Sequence, residues 1–217
     1  MTERPILFNG PMVRAVLAGC KTQTRRVVKP RYSCEIEERD DGSLWPWYPD
    51  YVTGGEWDGW VPCPFGQPGD RLWVKETTVR VEEHGYIGPV YVASQEGQDV
   101  INWGLAPAPD DCTDVEPYEI KLRPSIHMPR SMCRVVLEIT EVRVDRLQAI
   151  SDADATAEGI IEYDMGDRPA MYGTGYPDSD PNADSSPRGA FQKLWQSTGG
   201  DWDANPWVWV ISFRRLP

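Results

Sequence analysis

Two hydroxyls and three cations fall within six residues at Lys21-Thr22-Gln23-Thr24-Arg25-Arg26. A threonine hydroxyl is a weak nucleophile until a base takes its proton, and a lysine serves as that base only when uncharged. Arg25 and Arg26 beside Lys21 supply like-charge pressure that favours the neutral amine. The chemistry this group suits is attack on an amide carbonyl by a threonine hydroxyl that a neutral Lys21 activates. Backbone N–H groups from Gly19 to Thr22 are candidates for holding the resulting oxyanion. The plainer reading is a solvated basic helix exit that complements the helix dipole.

A second cationic group comprises Arg71, Arg123, Arg130, Arg134 and His127. Two prolines fix the backbone of the run Arg123-Pro124-Ser125-Ile126-His127-Met128-Pro129-Arg130, so its polar side chains are held in place to grip a phosphate or a base edge. With only two histidines in the chain, His84 and His127, a His-based metal site or a Ser-His-Asp triad is disfavoured. The five cysteines are scattered without a CxxC pair, which signals neither a disulfide framework nor zinc. No Gly-rich phosphate loop is present, and no cofactor is expected.

The elements that must position these residues are readable in part. Gly10 suits an N-cap and Pro11 the first turn of a helix whose apolar face is Met12, Val13, Val16 and Leu17, closed by Gly19. Ile6 to Phe8 is a short strand before it, and Val27 and Val28 extend a strand after it until Pro30. Residues 31–68 read as a long ordered insertion without periodicity, in which Trp45, Trp47, Trp57 and Trp60 either stiffen the connection or form a stacking wall. After the Gly69-Asp70 turn, Leu72 and Val74 mark the buried side of a strand. Residues 78–120 read as a hairpin-like arm and an acidic loop. From Cys133 to Val144 the alternation is clear, and its change of phase between Ile139 and Val142 predicts a bulge. Ser151 with Asp154 predicts a capped helix ending near Glu158, ahead of Gly159. Residues 162–186 read as a loop. Ser186-Pro187 opens a second long helix with Phe191, Leu194 and Trp195 on one face, and Trp207 to Phe213 reads as an interior strand.

The stretches LAGCKTQTRR (from Leu17), GDRLWVKET (from Gly69), RPSIHMPR (from Arg123), ISDADATAEGI (from Ile150) and PWVWVISFRRL (from Pro206) together resemble the ASCH superfamily, relatives of the PUA-type RNA-binding barrels. The chain is most similar to the longer ASCH-like proteins of phages and prophages. The resemblance implies one α+β domain over residues 1–217. It would be a small, mostly antiparallel PUA-like β-barrel with a few packed helices, and with insertions at about 31–68, 78–120 and 162–186. By similarity to small amidohydrolases that act on N4-acetylcytidine, it implies Lys21 as base, Thr24 as nucleophile and Glu158 as a proton-handling or substrate-orienting group. Thr22, Arg25, Arg26, Glu76, Arg71, His127 and Arg130 are the expected substrate-binding residues.

The net charge of −12 argues against broad, phosphate-driven binding of nucleic acid but leaves room for a local basic patch. No signal peptide and no long apolar run is seen, so a cytoplasmic protein without membrane contact is expected, in a bacterial host if phage-encoded. The leading expectation is therefore a pocket for a modified nucleoside, nucleotide or nucleic-acid base. The rivals are a non-catalytic module for single-stranded RNA or DNA, and a phage accessory protein that binds a host protein through its acidic, Trp-rich loops.

Overall fold

A computed structural model describes residues 1–29, 33–49, 59–81, 87–109, 111–175 and 179–217. Pro30, Trp57 and His84 lie outside the described residues. The chain is mixed α+β, dominated by strands. It opens with β1 (Glu3–Leu7), α1 (Gly10–Leu17) and β2 (Gln23–Val27). Asn9, not Gly10, caps α1: its side-chain oxygen accepts from Met12 N at 3.0 Å, and Pro11 occupies the first turn. Gly19 takes the left-handed conformation (φ +78°) that ends the helix. Cys20 N and Lys21 N then both donate to Ala15 O, so the chain turns directly from α1 toward β2.

The insertion is more regular than its sequence suggests. β3 (Glu35–Glu38), β4 (Leu44–Tyr48) and β5 (Gly59–Trp60) form a small antiparallel sheet. Trp45 anchors it, packing edge-on against Trp209 of the main core with ring centroids 4.9 Å apart. β6 (Arg71–Lys75) follows, and then the arm: β7 (Thr78–Val81), β8 (Val90–Tyr91), α2 (Gln95–Trp103), β9 (Leu105–Ala108), β10 (Asp111–Asp114) and β11 (Ile120–Arg123). The expected hairpin is present, β7 pairing antiparallel with β8 at Val79 and Val90, but the helix α2 corrects the expectation of a loop after it. Only Gly97 and Val100 of its residues are buried, so it carries no apolar stripe for the eye to find.

β12 (Val136–Arg146) carries the expected bulge: its register against the last strand shifts between Ile139 and Glu141. Ser151 caps α3 (Asp152–Ala157) in a reciprocal capping box with Asp154. A short hairpin of β13 (Ile161–Tyr163) and β14 (Met171–Gly173) stands within the segment read as loop. Ser186 caps α4 (Pro187–Ser197), and β15 (Trp207–Arg215) ends the chain.

The central sheet has the order β1-β6-β12-β15-β2. β1 and β6 run parallel and the other pairs antiparallel. β15 is apolar on both faces because each face meets a different core. Trp209, Ile211 and Phe213 join Ile6, Phe8, Leu72 and Leu137 on one side, while Val208 and Val210 meet Leu147, Ala155, Phe191 and Leu194 under α3 and α4 on the other. Among the described residues no backbone ladder joins β1 to β2, so the closed barrel expected from the resemblance is not present as a closed sheet. No helix of the described residues is long and apolar enough to cross a membrane.

Candidate functional site

The two edge strands approach each other without pairing, and a cavity of about 290 Å³ lies between them. The end of β1 and start of α1 (Leu7 to Asn9, Met12) form one wall, and Thr24 to Arg26 of β2 another. Phe191, Leu194, Trp195 and Thr198 of α4 form a third, and Glu158, Thr77 and Ser125 complete it. Arg26 reaches across, its Nη2 donating to Leu7 O at 2.7 Å, with its guanidinium 5.6 Å from the Phe8 ring centroid.

Lys21 and Glu158 meet behind this cavity. Thr22 N donates to Ala157 O, and Lys21 and Glu158 form an isolated backbone bridge, which docks the end of α3 onto the start of β2. Gly159 permits that approach. It has φ +98°, and a Cβ there would lie 3.0 Å from Ala15 Cβ and 3.2 Å from Lys21 Cβ. Lys21 Nζ donates to Glu158 Oε2 at 2.7 Å, to Gln23 O at 2.8 Å and to Glu158 O at 2.8 Å. Three acceptors match the three protons of an ammonium, so the charged form is fully satisfied where it sits. Burial nevertheless pushes the Lys21 pKa down. The Glu158 carboxylate opposes this, and Arg26 and Arg25 add smaller downward pushes. The like-charge effect expected from sequence is thus present but secondary to desolvation.

Arg25 extends the network. Its Nη1 lies 3.3 Å from Glu158 Oε1 and 2.6 Å from Gln23 Oε1, and its Nη2 is 3.1 Å from Asp154 Oδ2. Arg25 Nε and Nη2 are buried without a hydrogen-bond acceptor among the described residues, the Asp154 contact being an ion pair without hydrogen-bond geometry. Asp154 in turn accepts from Arg143 Nη2 at 2.9 Å. Burial opposes ionisation of Asp154, but the guanidinium groups of Arg25 and Arg143 leave its pKa below the ordinary aspartate value.

Of the sequence-predicted residues, Thr24, Arg25, Arg26 and Glu158 therefore share one cavity, and Lys21 is hydrogen-bonded to its carboxylate. Thr24 is 1% exposed, and its hydroxyl makes no hydrogen bond among the described residues. Thr22 is exposed and reaches the site only through its backbone. The second cationic group does not converge on it. Glu76 is buried in a two-pronged pair with Arg134 (2.9 and 2.8 Å), and Arg130 pairs in the same way with Glu3 (2.8 and 2.9 Å). His127 is exposed on a 3₁₀ turn, and Arg71 sits on β6; neither lines the cavity. Ser125 of the same loop does line it, as does Thr77; neither is marked in the sequence, because a lone hydroxyl in a loop carries no pattern.

The backbone N–H groups proposed for an oxyanion are also already committed. Gly19 N donates to Val16 O, Cys20 N and Lys21 N to Ala15 O, and Thr22 N to Ala157 O. Helix termination uses those donors, whereas Arg25 beside the cavity keeps unspent N–H groups. Among the described residues no group of three or more His, Cys, Asp or Glu is placed to hold a metal ion. Comparison with family models, with curated proteins and with solved structures finds no match to this chain.

Proposed function

We propose that the cavity between β1, β2 and α4 receives a modified nucleoside, nucleotide or base, and that it hydrolyses an amide on it such as the acyl group of N4-acetylcytidine. One observation carries the reading: Thr24 and Glu158 face the same cavity, and Lys21 Nζ lies 2.7 Å from the Glu158 carboxylate. The resemblance to ASCH-type, PUA-like proteins supports it, with the open sheet standing for a barrel not closed by hydrogen bonds.

In this scheme Thr24 Oγ1 attacks the acyl carbon, and its proton passes to the Lys21–Glu158 pair. A carboxylate hydrogen-bonded to a buried amine can take a proton at one step and return it at the next. The spare N–H groups of Arg25 stabilise the oxyanion. The C–N bond then breaks, the exocyclic nitrogen takes the proton from the pair, and water hydrolyses the threonyl ester to release acetate. Phe8, Phe191 and Trp195 supply the flat apolar walls a base requires.

The test is acetate release from N4-acetylcytidine by wild type, Thr24→Val and Glu158→Gln. Wild-type turnover, loss of activity in Thr24→Val, and a drop of about a hundredfold or more in Glu158→Gln are expected. Retained activity in Thr24→Val, or none in wild type with any acylated cytidine, overturns the reading.

A further inference from the structure

At the other end of β1 lies a second, larger cleft of about 840 Å³, within the size range of small-molecule sites. It sits between the insertion sheet, Arg4 of β1 and the bulge of β12. Its floor includes Trp45, held rigid because its indole N–H donates to Val61 O at 2.8 Å. The Arg39 guanidinium lies over that ring at 3.8 Å and 5.0 Å from the Trp60 ring, and its nearby carboxylate, Asp41, acts on its charge without closing to an ion-pair contact among the described residues. Its Nε is buried without an acceptor. On the facing side Arg4 Nη1 bridges Cys63 O and Pro64 O at 3.2 and 3.1 Å, again without an ion-pair contact among the described residues.

The acids of the cleft are spent. Asp70 accepts from Thr2 N at 2.7 Å and Gln67 N at 3.3 Å, and Asp41 accepts from Ser43 N and Oγ at 2.9 and 2.6 Å. Glu141 faces Arg143 at 3.9 Å. Arg39 thus lies over two indole rings with its Nε unspent, and Arg4 lines the same cleft; Trp60, edge-packed on Trp47, is 38% exposed. Stacked guanidinium with free N–H edges binds phosphate, while an exposed indole face takes a planar ring. The net charge of −12 opposes a long polyanion, whose affinity depends on many phosphate contacts.

We infer that this cleft binds a free mononucleotide, its phosphate between Arg4 and Arg39 and its base on Trp60. The site is separate from the first cavity and stands whether or not that cavity hydrolyses amides. The test titrates the full chain with AMP, adenosine, inorganic phosphate and a short single-stranded oligonucleotide, following indole N–H resonances by NMR. Trp60 is assigned by Trp60→Phe.

AMP is expected to shift the Trp60 signal and to bind at least tenfold more tightly than adenosine or phosphate alone. Arg39→Gln and Arg4→Gln are each expected to weaken AMP at least tenfold, with Thr24→Val leaving it unchanged. The wild-type comparison of AMP with adenosine requires no variant and so survives a folding defect at Arg39. Equal binding of adenosine and AMP, an unmoved Trp60 signal, or wild-type affinity in a folded Arg4→Gln variant overturns the site. An oligonucleotide binding more tightly per molecule than AMP replaces it with a strand-binding surface.

Discussion

Lys21 and Glu158 stand 137 positions apart in the chain and 2.7 Å apart in space, in a pair closed to solvent on both sides. Their charges are satisfied by each other, by two carbonyls and by Arg25, which also keeps Asp154 and Gln23 as partners of its own. Removing one member strands the other in a low dielectric, which is costlier than never having placed either there.

Lys21→Ala should therefore destabilise the chain by about 3–5 kcal/mol. The double variant Lys21→Met, Glu158→Leu should recover part of that loss, since neither member is left unpaired and Arg25 retains Asp154. Urea denaturation of the three proteins measures it, and a double variant no more stable than the single one contradicts the pairing.

The pH dependence has a defined sign. The folded-state pKa of Lys21 lies below the ordinary 10.5, so between those two values the unfolded chain binds the extra proton. Stability rises with pH wherever the unfolded state holds more protons. The unfolding free energy of wild type minus that of Lys21→Met should then increase with pH across that alkaline window. A difference that shrinks there would show that Glu158 outweighs burial.

Gly159→Ala should cost about 1–3 kcal/mol from its positive φ alone, and more from the crowding of Ala15 and Lys21. Because the new methyl presses on the Lys21 side chain, the same variant should impair acetate release by more than its melting temperature implies. Paired calorimetry and activity assays separate the two effects.

Glu76→Ala should destabilise the chain by about 1–3 kcal/mol by leaving the partly exposed Arg134 unmatched over the Tyr91 ring, 4.0 Å away. It should leave ligand binding in the first cavity unchanged, because Glu76 contributes nothing to that wall. A calorimetric titration of Glu76→Ala with a cytidine ligand, showing altered affinity at intact fold, would return Glu76 to the site.

Local signals in the sequence translated well into local structure. Ser151 and Ser186 cap the helices they were read to cap, and the phase change after Ile139 became a register shift. Asn9 is not distinguished as the cap by sequence, because Gly10-Pro11 offers an equivalent start one residue on. Partner choice was not legible. Arg130 finds Glu3 and Arg134 finds Glu76, separated by 127 and 58 positions, and nothing in a one-dimensional pattern says which of many carboxylates a guanidinium will meet. The same holds for α4. Its apolar face was visible, but that Phe191 and Leu194 would stand across from the end of β1 follows only from the order of strands in the sheet.

The unpaired margin between β1 and β2 has its own consequence. Elsewhere in the sheet, prising neighbouring strands apart sacrifices a row of amide-to-carbonyl bonds. Here the only hydrogen bond crossing from strand to strand, among the described residues, is that of Arg26 to Leu7. A visitor to the first cavity can thus pass through a hem held by one stitch, and the rest of the fabric stays sewn.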